Sequence, residues 1–200
     1  MESSTDQELV VRSEADEQPS IIGAQTKSAW RNLAEIVVML GILIVLLNVL
    51  TVNAELSGVG MTPTLSQGQN LLASRVTYAL FMPERGDVVV MRDPLNPNRL
   101  VVRRVVGLPG ERLELRGRQV LINDQPLTEE YIGNNLAVSD NLTASAQLAL
   151  TANEYYVLGD NRLTINDSRS WGPVKSDSIL GRAWFSYWPP ESIGFIEHAR

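Results

Sequence analysis

Nucleophilic or acid–base chemistry in this chain has few side chains to draw on. Among its 200 residues there is no cysteine, and His198 is the one histidine. Thiolate attack, a disulfide framework and cysteine-ligated metal therefore have no residues to build them, and a Ser-His-Asp triad or a histidine metal site would rest on a single side chain near the C-terminus. His198 itself reads as a solvated residue of the tail. The lysines are Lys27 and Lys175. Chemistry-bearing pattern is concentrated in four segments: Gly60-Met61-Thr62-Pro63-Thr64-Leu65, Arg85-Gly86-Asp87-Val88-Val89-Val90, Arg103-Arg104-Val105-Val106-Gly107-Leu108-Pro109-Gly110, and Gly159-Asp160-Asn161-Arg162 running on to Asp167-Ser168-Arg169-Ser170-Trp171-Gly172. Each taken alone has a plain structural reading as a turn, a strand start or a glycine-rich hairpin.

The elements that must position these segments are legible from composition. Residues 1 to about 26 are polar and acidic without periodicity and read as a disordered tail. From Ile36 to Val52 the chain is almost wholly Ile, Val, Leu and Met, with Asn48 the one strongly polar residue. With Leu33 and Ala34 this run approaches the ~20 residues needed to cross a hydrocarbon core. A cleavable signal peptide is disfavoured by the long acidic tail before it, and a core helix apolar on every side needs a large protein to hide it. The division expected is a cytoplasmic tail over residues 1–32, a single transmembrane helix over 33–52, and a β domain over 53–200. Lys27 and Arg31 precede the span and Trp30 suits an interface, which places the N-terminus in the cytoplasm and the β domain on the trans side, periplasmic or lumenal.

Beyond residue 53 the pattern is β. Val88–Val90, Leu100–Val102, Tyr155–Leu158 and Ala183–Trp188 read as strands. Leu113–Leu115 and Val120–Ile122 read as a hairpin around Arg116-Gly117. The stretch 134–152 reads as a loop with a short strand near Leu148, and no second amphipathic helix of respectable length is expected. Net charge is −6, with no basic stripe to neutralise phosphates, so nucleic acid is not an expected partner.

In this order, after an N-terminal span, the four segments resemble the type I signal peptidases, the bacterial leader peptidase family, over about residues 30–197. The resemblance implies a mainly β fold: one transmembrane helix followed by an antiparallel, barrel-like β domain. It implies serine endopeptidase chemistry with a Ser-Lys dyad, in which a buried lysine of lowered pKa takes the proton of the attacking serine and fixed donors hold the oxyanion. The substrate class it implies is signal peptides of exported preproteins, with small residues at the first and third positions before the cut. No cofactor or metal is implied, and the lipid bilayer is the other expected partner.

The same resemblance places this chain's departures at the catalytic positions. The nucleophile position is Gly60, the oxyanion position Gly58, the base position Arg103 and the lysine-orienting position Ile165. Met61, Pro63, Arg104, Gly107, Asp160, Asp167 and Arg169 match the family pattern, the last three as structural groups among them. Glycine cannot form an acyl-enzyme. A guanidinium keeps its proton at any accessible pH and cannot act as a base. No catalytic residue is therefore intact, and the chain is expected to be proteolytically inactive. Arg103 in an apolar pocket needs a partner, for which Asp167, Glu55 or the room of the vacated serine are candidates. Leu56, Met61, Leu65, Val101 and Val102 fall on the family's substrate groove and are still apolar. They read equally as core. Three functions follow: a non-proteolytic homologue that binds signal-peptide-like segments or a partner, an active peptidase with a dyad relocated to Ser57 and Lys175, or a structural subunit of a membrane complex.

Overall fold

The computed structural model describes residues 21–117, 119–132 and 146–199. Residues 1–20 of the expected disordered tail, and residues 133–145 with most of the expected loop, lie outside the described residues, while residues 21–32 of that tail are helical. The chain divides into two units, residues 1–46 and 47–200.

The first unit is a helix, α1 (Ile21–Leu50), whose last turn reaches the second unit. It begins well before residue 33, because Ala24, Gln25, Lys27 and Ala29 are good helix formers and no Gly-Pro break separates them from the apolar run. Its segment Trp30–Leu50 is 21 residues, long and apolar enough to cross a membrane by length and composition, and none of it is buried. Its apolar side chains point in every direction, so no single face could be hidden against a core.

The second unit is antiparallel β throughout. In chain order it comprises β1 (Thr51–Glu55), β2 (Asn70–Ser74), a one-turn helix α2 (Val76–Leu80), β3 (Val88–Arg92), β4 (Leu100–Gly107), β5 (Arg112–Arg116), β6 (Gln119–Ile122), β7 (Gln125–Pro126), β8 (Ala146–Ala149), β9 (Glu154–Leu158), the short helix α3 (Ser168–Trp171), β10 (Val174–Lys175), β11 (Ile179–Trp188) and β12 (Gly194–Phe195). The first strand thus starts at Thr51, directly where α1 ends. The larger sheet has the order β1-β2-β11-β3-β4-β9-β10, with β12 added on β11, and the smaller has β7-β6-β5-β8. Every pairing is antiparallel. The hairpin of β5 and β6 turns at Gly117, whose φ of 57° is the left-handed conformation glycine adopts without strain.

Central strands β3 and β4 are apolar at successive positions because both faces of the sheet are covered. Val88 and Val90 enter one cluster with Leu56, Met61, Leu71 and Val102. Their neighbours Val89 and Met91 point to the other face and pack with Val101, Val105, Tyr155 and Val157. A third cluster, Val106, Leu113, Val120, Tyr156 and Leu158, joins the end of β4 to the smaller sheet. The result is a β4 strand clamped on both faces, from which two consecutive arginines project in opposite directions.

Candidate active site

Arg104 projects into the buried interior. Its Nε donates to Asp160 Oδ1 at 2.8 Å and its Nη2 to Asp160 Oδ2 at 2.6 Å, a bidentate pair with both side chains at most 1% exposed. Nη1 donates to the carbonyl of Gly86 at 2.8 Å, Thr64 Oγ1 donates to Asp160 Oδ2 at 2.6 Å, and the guanidinium lies 4.2 Å from the ring centre of Tyr131. Nearly every polar atom of the pair is satisfied, which is what permits two charges to be buried.

Arg103 projects the other way and is differently supplied. It is 6% exposed. Its Nε and Nη2 donate to the carbonyl of Asn166 at 2.8 and 2.5 Å, and its Nη1 donates to the carbonyl of Val102 at 2.5 Å. Among the described residues no carboxylate pairs with it directly. Burial pushes its pKa down, opposed chiefly by the field of Asp167. Glu55 is not its partner, and it does not reach out to water. The absence of a side chain at Gly60 gives it room: a Cβ on residue 60 would sit 3.2 Å from Arg103 Nη1, 3.4 Å from Cζ and 3.5 Å from Nη2.

The loop carrying Gly60 runs from β1 to β2 and is fastened from within. Met61 is fully buried, and its carbonyl accepts from the Leu65 N–H at 2.9 Å. The Gly60 carbonyl accepts from the Asn161 N–H at 3.0 Å, and Asn161 Nδ2 donates to the carbonyl of Val59 at 3.0 Å. Gly159 faces the Gly60 carbonyl so closely that a Cβ there would collide with it. Gly58 has φ of 120°, with open space where a side chain would project.

The segment 159–171 fastens both halves of the site. Asp167 caps α3: its Oδ1 accepts from Arg169 N at 3.1 Å and Arg169 Nε at 2.8 Å, and its Oδ2 accepts from Gly159 N at 3.1 Å and Arg169 Nη2 at 2.7 Å. Arg169 Nη1 also donates to the carbonyl of Arg162 at 2.8 Å, and Nη2 to the carbonyl of Thr164. Asp160, Asp167 and Arg169 thus hold this segment against β4 and β9. Ile165 is exposed on the same segment, and the contact with Arg103 is made by the backbone of its neighbour Asn166.

These elements enclose a small cavity of about 20 Å³, lined by Glu55, Leu56, Ser57, Gly58, Gly60, Arg99, Leu100, Val101, Val102 and Arg103. Of the five apolar residues expected along a groove, Leu56, Val101 and Val102 meet here with Gly58, Gly60 and Arg103. Met61 and Leu65 do not. Met61 belongs to the packed core, and Leu65 lines a separate cavity beside Arg104 and Tyr131. Ser57 Oγ accepts from Arg99 Nη2 at 3.0 Å, while Lys175 is exposed on β10 and lines another cavity with Arg92, Asp93 and Pro94. Nothing brings Ser57 and Lys175 to one place. The residues that sequence reasoning missed are Arg99, which adds a second cation to the cavity, and Asn166, which acts through its backbone and so carries no side-chain signal.

His198 is not a solvated tail residue. Its Nδ1 accepts from the Val88 N–H at 3.2 Å and lies 3.6 Å from Asp87 Oδ1. Burial first, and then the charge of Arg182, push its pKa down to about 4, against the pull of Asp87. Among the described residues no group of three or more His, Asp and Glu gathers to hold a metal ion.

The family model described as "Signal peptidase, peptidase S26" matches residues 29–188. Signal peptidase I of Leptolyngbya laminosa is 37% identical over 141 residues, covering 67% of this chain and 67% of that protein. Signal peptidase IB of Staphylococcus aureus is 32% identical over 147 residues, covering 67% of this chain and 76% of that protein. The chloroplastic thylakoidal processing peptidase 1 of Arabidopsis thaliana is 29% identical over 143 residues, covering 66% of this chain but only 41% of that longer protein. Matched by the family model over most of its length and 37% identical to a signal peptidase I across two thirds of both chains, with an antiparallel β domain after an N-terminal apolar helix, this chain belongs to the signal peptidase family.

Proposed function

We propose that this chain is a membrane-anchored pseudoenzyme of the signal peptidase family, which binds signal-peptide-like segments of exported proteins without cutting them. The family's activity is cleavage of such segments. The observation that carries the departure is the placement of the Arg103 guanidinium against Gly60, at the two positions where the family resemblance puts base and nucleophile. Neither residue has the chemistry the position requires. Leu56, Val101 and Val102 around the same cavity support retained binding, since apolar walls beside an extended loop suit short side chains of an added strand. Lys27 and Arg31 before the apolar run support an N-terminus in the cytoplasm and a β domain on the trans side.

The test is a preprotein cleavage assay on the full chain in detergent, beside the Gly60→Ser, Arg103→Lys double variant. The native chain is expected to give no product above background, because losing nucleophile and base together removes rate on the ~10⁶-fold scale seen for intact sites. Cleavage by the native chain that disappears in Ser57→Ala would replace this reading with an active peptidase. Absence of both cleavage and peptide binding would leave a structural subunit.

A further inference from the structure

Arg182, on β11, carries five N–H donors, and none makes a hydrogen bond among the described residues. Its Nε is buried, 2.9 Å from Asp87 Oδ1 but out of line for a hydrogen bond. Arg182 lines a cavity of about 280 Å³ with Ser74, Thr77, Trp184, Phe195, Ile196 and His198. Ser74 Oγ already accepts from Thr77 N at 3.3 Å and from Thr77 Oγ1 at 3.0 Å, so its own O–H is left to donate. Arg75, next in the chain, is exposed, and its side chain has no partner among the described residues. Asp87 offsets one of the two guanidinium charges, not both. Unspent donors and a surplus positive charge call for an anion rich in acceptor oxygens, and the volume admits a phosphodiester group.

The place of this cavity in the fold decides which anion. The apolar helix α1 ends at Leu50, whose carbonyl accepts from the Arg75 N–H at 2.9 Å. Thr51, the next residue, pairs with Ser74 across β1 and β2, and Ser74 pairs with Arg182 across β2 and β11. The donors therefore lie in one row that starts at the end of α1. Arg182 is two ladder steps from Thr51, about 10 Å, the scale of a lipid headgroup layer. Apolar side chains stand uncovered on the same elements. Leu80, Phe81 and Met82 continue from α2, the helix that carries Thr77, and are each at least 69% exposed. Trp184 and Phe195, with ring centres 6.0 Å apart, are 39% and 79% exposed. Aromatic rings beside arginine suit the boundary between headgroups and acyl chains. We propose that Arg182, Ser74 and Arg75 hold the phosphate of an anionic phospholipid in the leaflet where α1 ends, with Trp184 and Phe195 against its glycerol and upper acyl chains. The inference rests on the reading that α1 spans a membrane.

The experiment uses the full chain in a neutral detergent with an equimolar mixture of phosphatidylglycerol and phosphatidylcholine, and reads the lipids retained by native mass spectrometry. Two arginines at about a factor of five each predict phosphatidylglycerol retained ~5–30-fold over phosphatidylcholine. Arg182→Gln should remove most of that preference. Arg75→Gln, at an exposed position, should reduce it ~3–5-fold, and it keeps the test decisive if the Arg182 variant does not fold. Arg92→Gln, exposed on β3 away from the cavity, should leave the preference unchanged. Equal retention of the two lipids overturns the site, and so does an equal loss in Arg92→Gln, which would mark a general charge effect. Inorganic phosphate that displaces phosphatidylglycerol at equal concentration overturns the lipid assignment in favour of a free anion. Carbonate extraction of the chain from vesicles tests the underlying reading separately. Release into the supernatant overturns the membrane span, whereas a chain that stays in the pellet and shows no lipid preference overturns this inference alone.

Discussion

Gly60 and Arg103 are complementary in volume: the guanidinium fills the space into which any side chain at residue 60 would project, with Nη1 3.2 Å from the Cβ position. The residue types at 60 and 103 therefore depend on each other sterically. With serine at 60 and arginine kept at 103, the guanidinium, held by Asn166 and Val102, has to give by a few tenths of an ångström. Gly60→Ser alone is expected to cost about 1–3 kcal/mol, the scale of overpacking a filled site. The Gly60→Ser, Arg103→Lys pair is expected to be more stable than the sum of the singles by at least about 0.5 kcal/mol. A urea double-mutant cycle measures this, and simple additivity would show that the packing contact carries no energy.

Removing one partner of the Arg104–Asp160 pair strands the other without solvent, since both are at most 1% exposed. Arg104→Met and Asp160→Asn should each destabilise the β domain by about 3–5 kcal/mol. Arg104→Met with Asp160→Leu should recover part of that, because an apolar pair leaves no stranded charge. Losses below 1 kcal/mol in the single variants would mean that water reaches the pair.

Acid sensitivity should follow His198. Its pKa in the fold is near 4, below the 6.5 of the unfolded chain. The unfolded chain therefore binds the proton first as pH falls, so the contribution is intact above about 6.5 and is lost between there and 4. Below 4 both states are protonated and nothing further is lost. Melting temperature recorded across this window should fall more steeply in the native chain than in His198→Gln. Superimposable curves for the two proteins would remove His198 as the cause.

Topology has its own check. Protease added to right-side-out vesicles should digest the β domain and spare a tag placed on the N-terminal tail. Protection of the β domain would reverse the orientation read from Lys27 and Arg31.

The strands were readable where the pattern is local. Val88–Val90 and Tyr155–Leu158 are β-branched and aromatic runs bounded by glycine or charge, and they fall inside β3 and β9. The hairpin at Gly117 announced itself through its glycine. The join of α1 to β1 did not, because Leu50-Thr51-Val52 holds no breaker and the strand is fixed by pairing with β2, twenty residues on. The groove residues show the same limit. Leu56 and Met61 are equally apolar letters, yet only Leu56 reaches the cavity. Which of them does so depends on how the loop is tied to Asn161. His198 was read as solvated because its partner, the Val88 N–H, is a main-chain group far away in sequence. Val102 is 1% exposed within the core, so a charge placed there would report on folding before it reported on binding.

Residues 196–199 close over the interior from the far end of the chain. Ile196 N–H donates to the Trp184 carbonyl at 3.0 Å, the Glu197 carbonyl accepts from Arg104 at 3.5 Å, His198 accepts from Val88, and Ala199 packs so tightly on Gly86 that no Cβ fits between them. Three of these four contacts tie the Gly86 turn, β3 and β4 to residues that follow β12 in the chain, and the fourth ties those residues to β11. Truncation before residue 196 would leave the Val88 amide without its acceptor and take one carbonyl from Arg104.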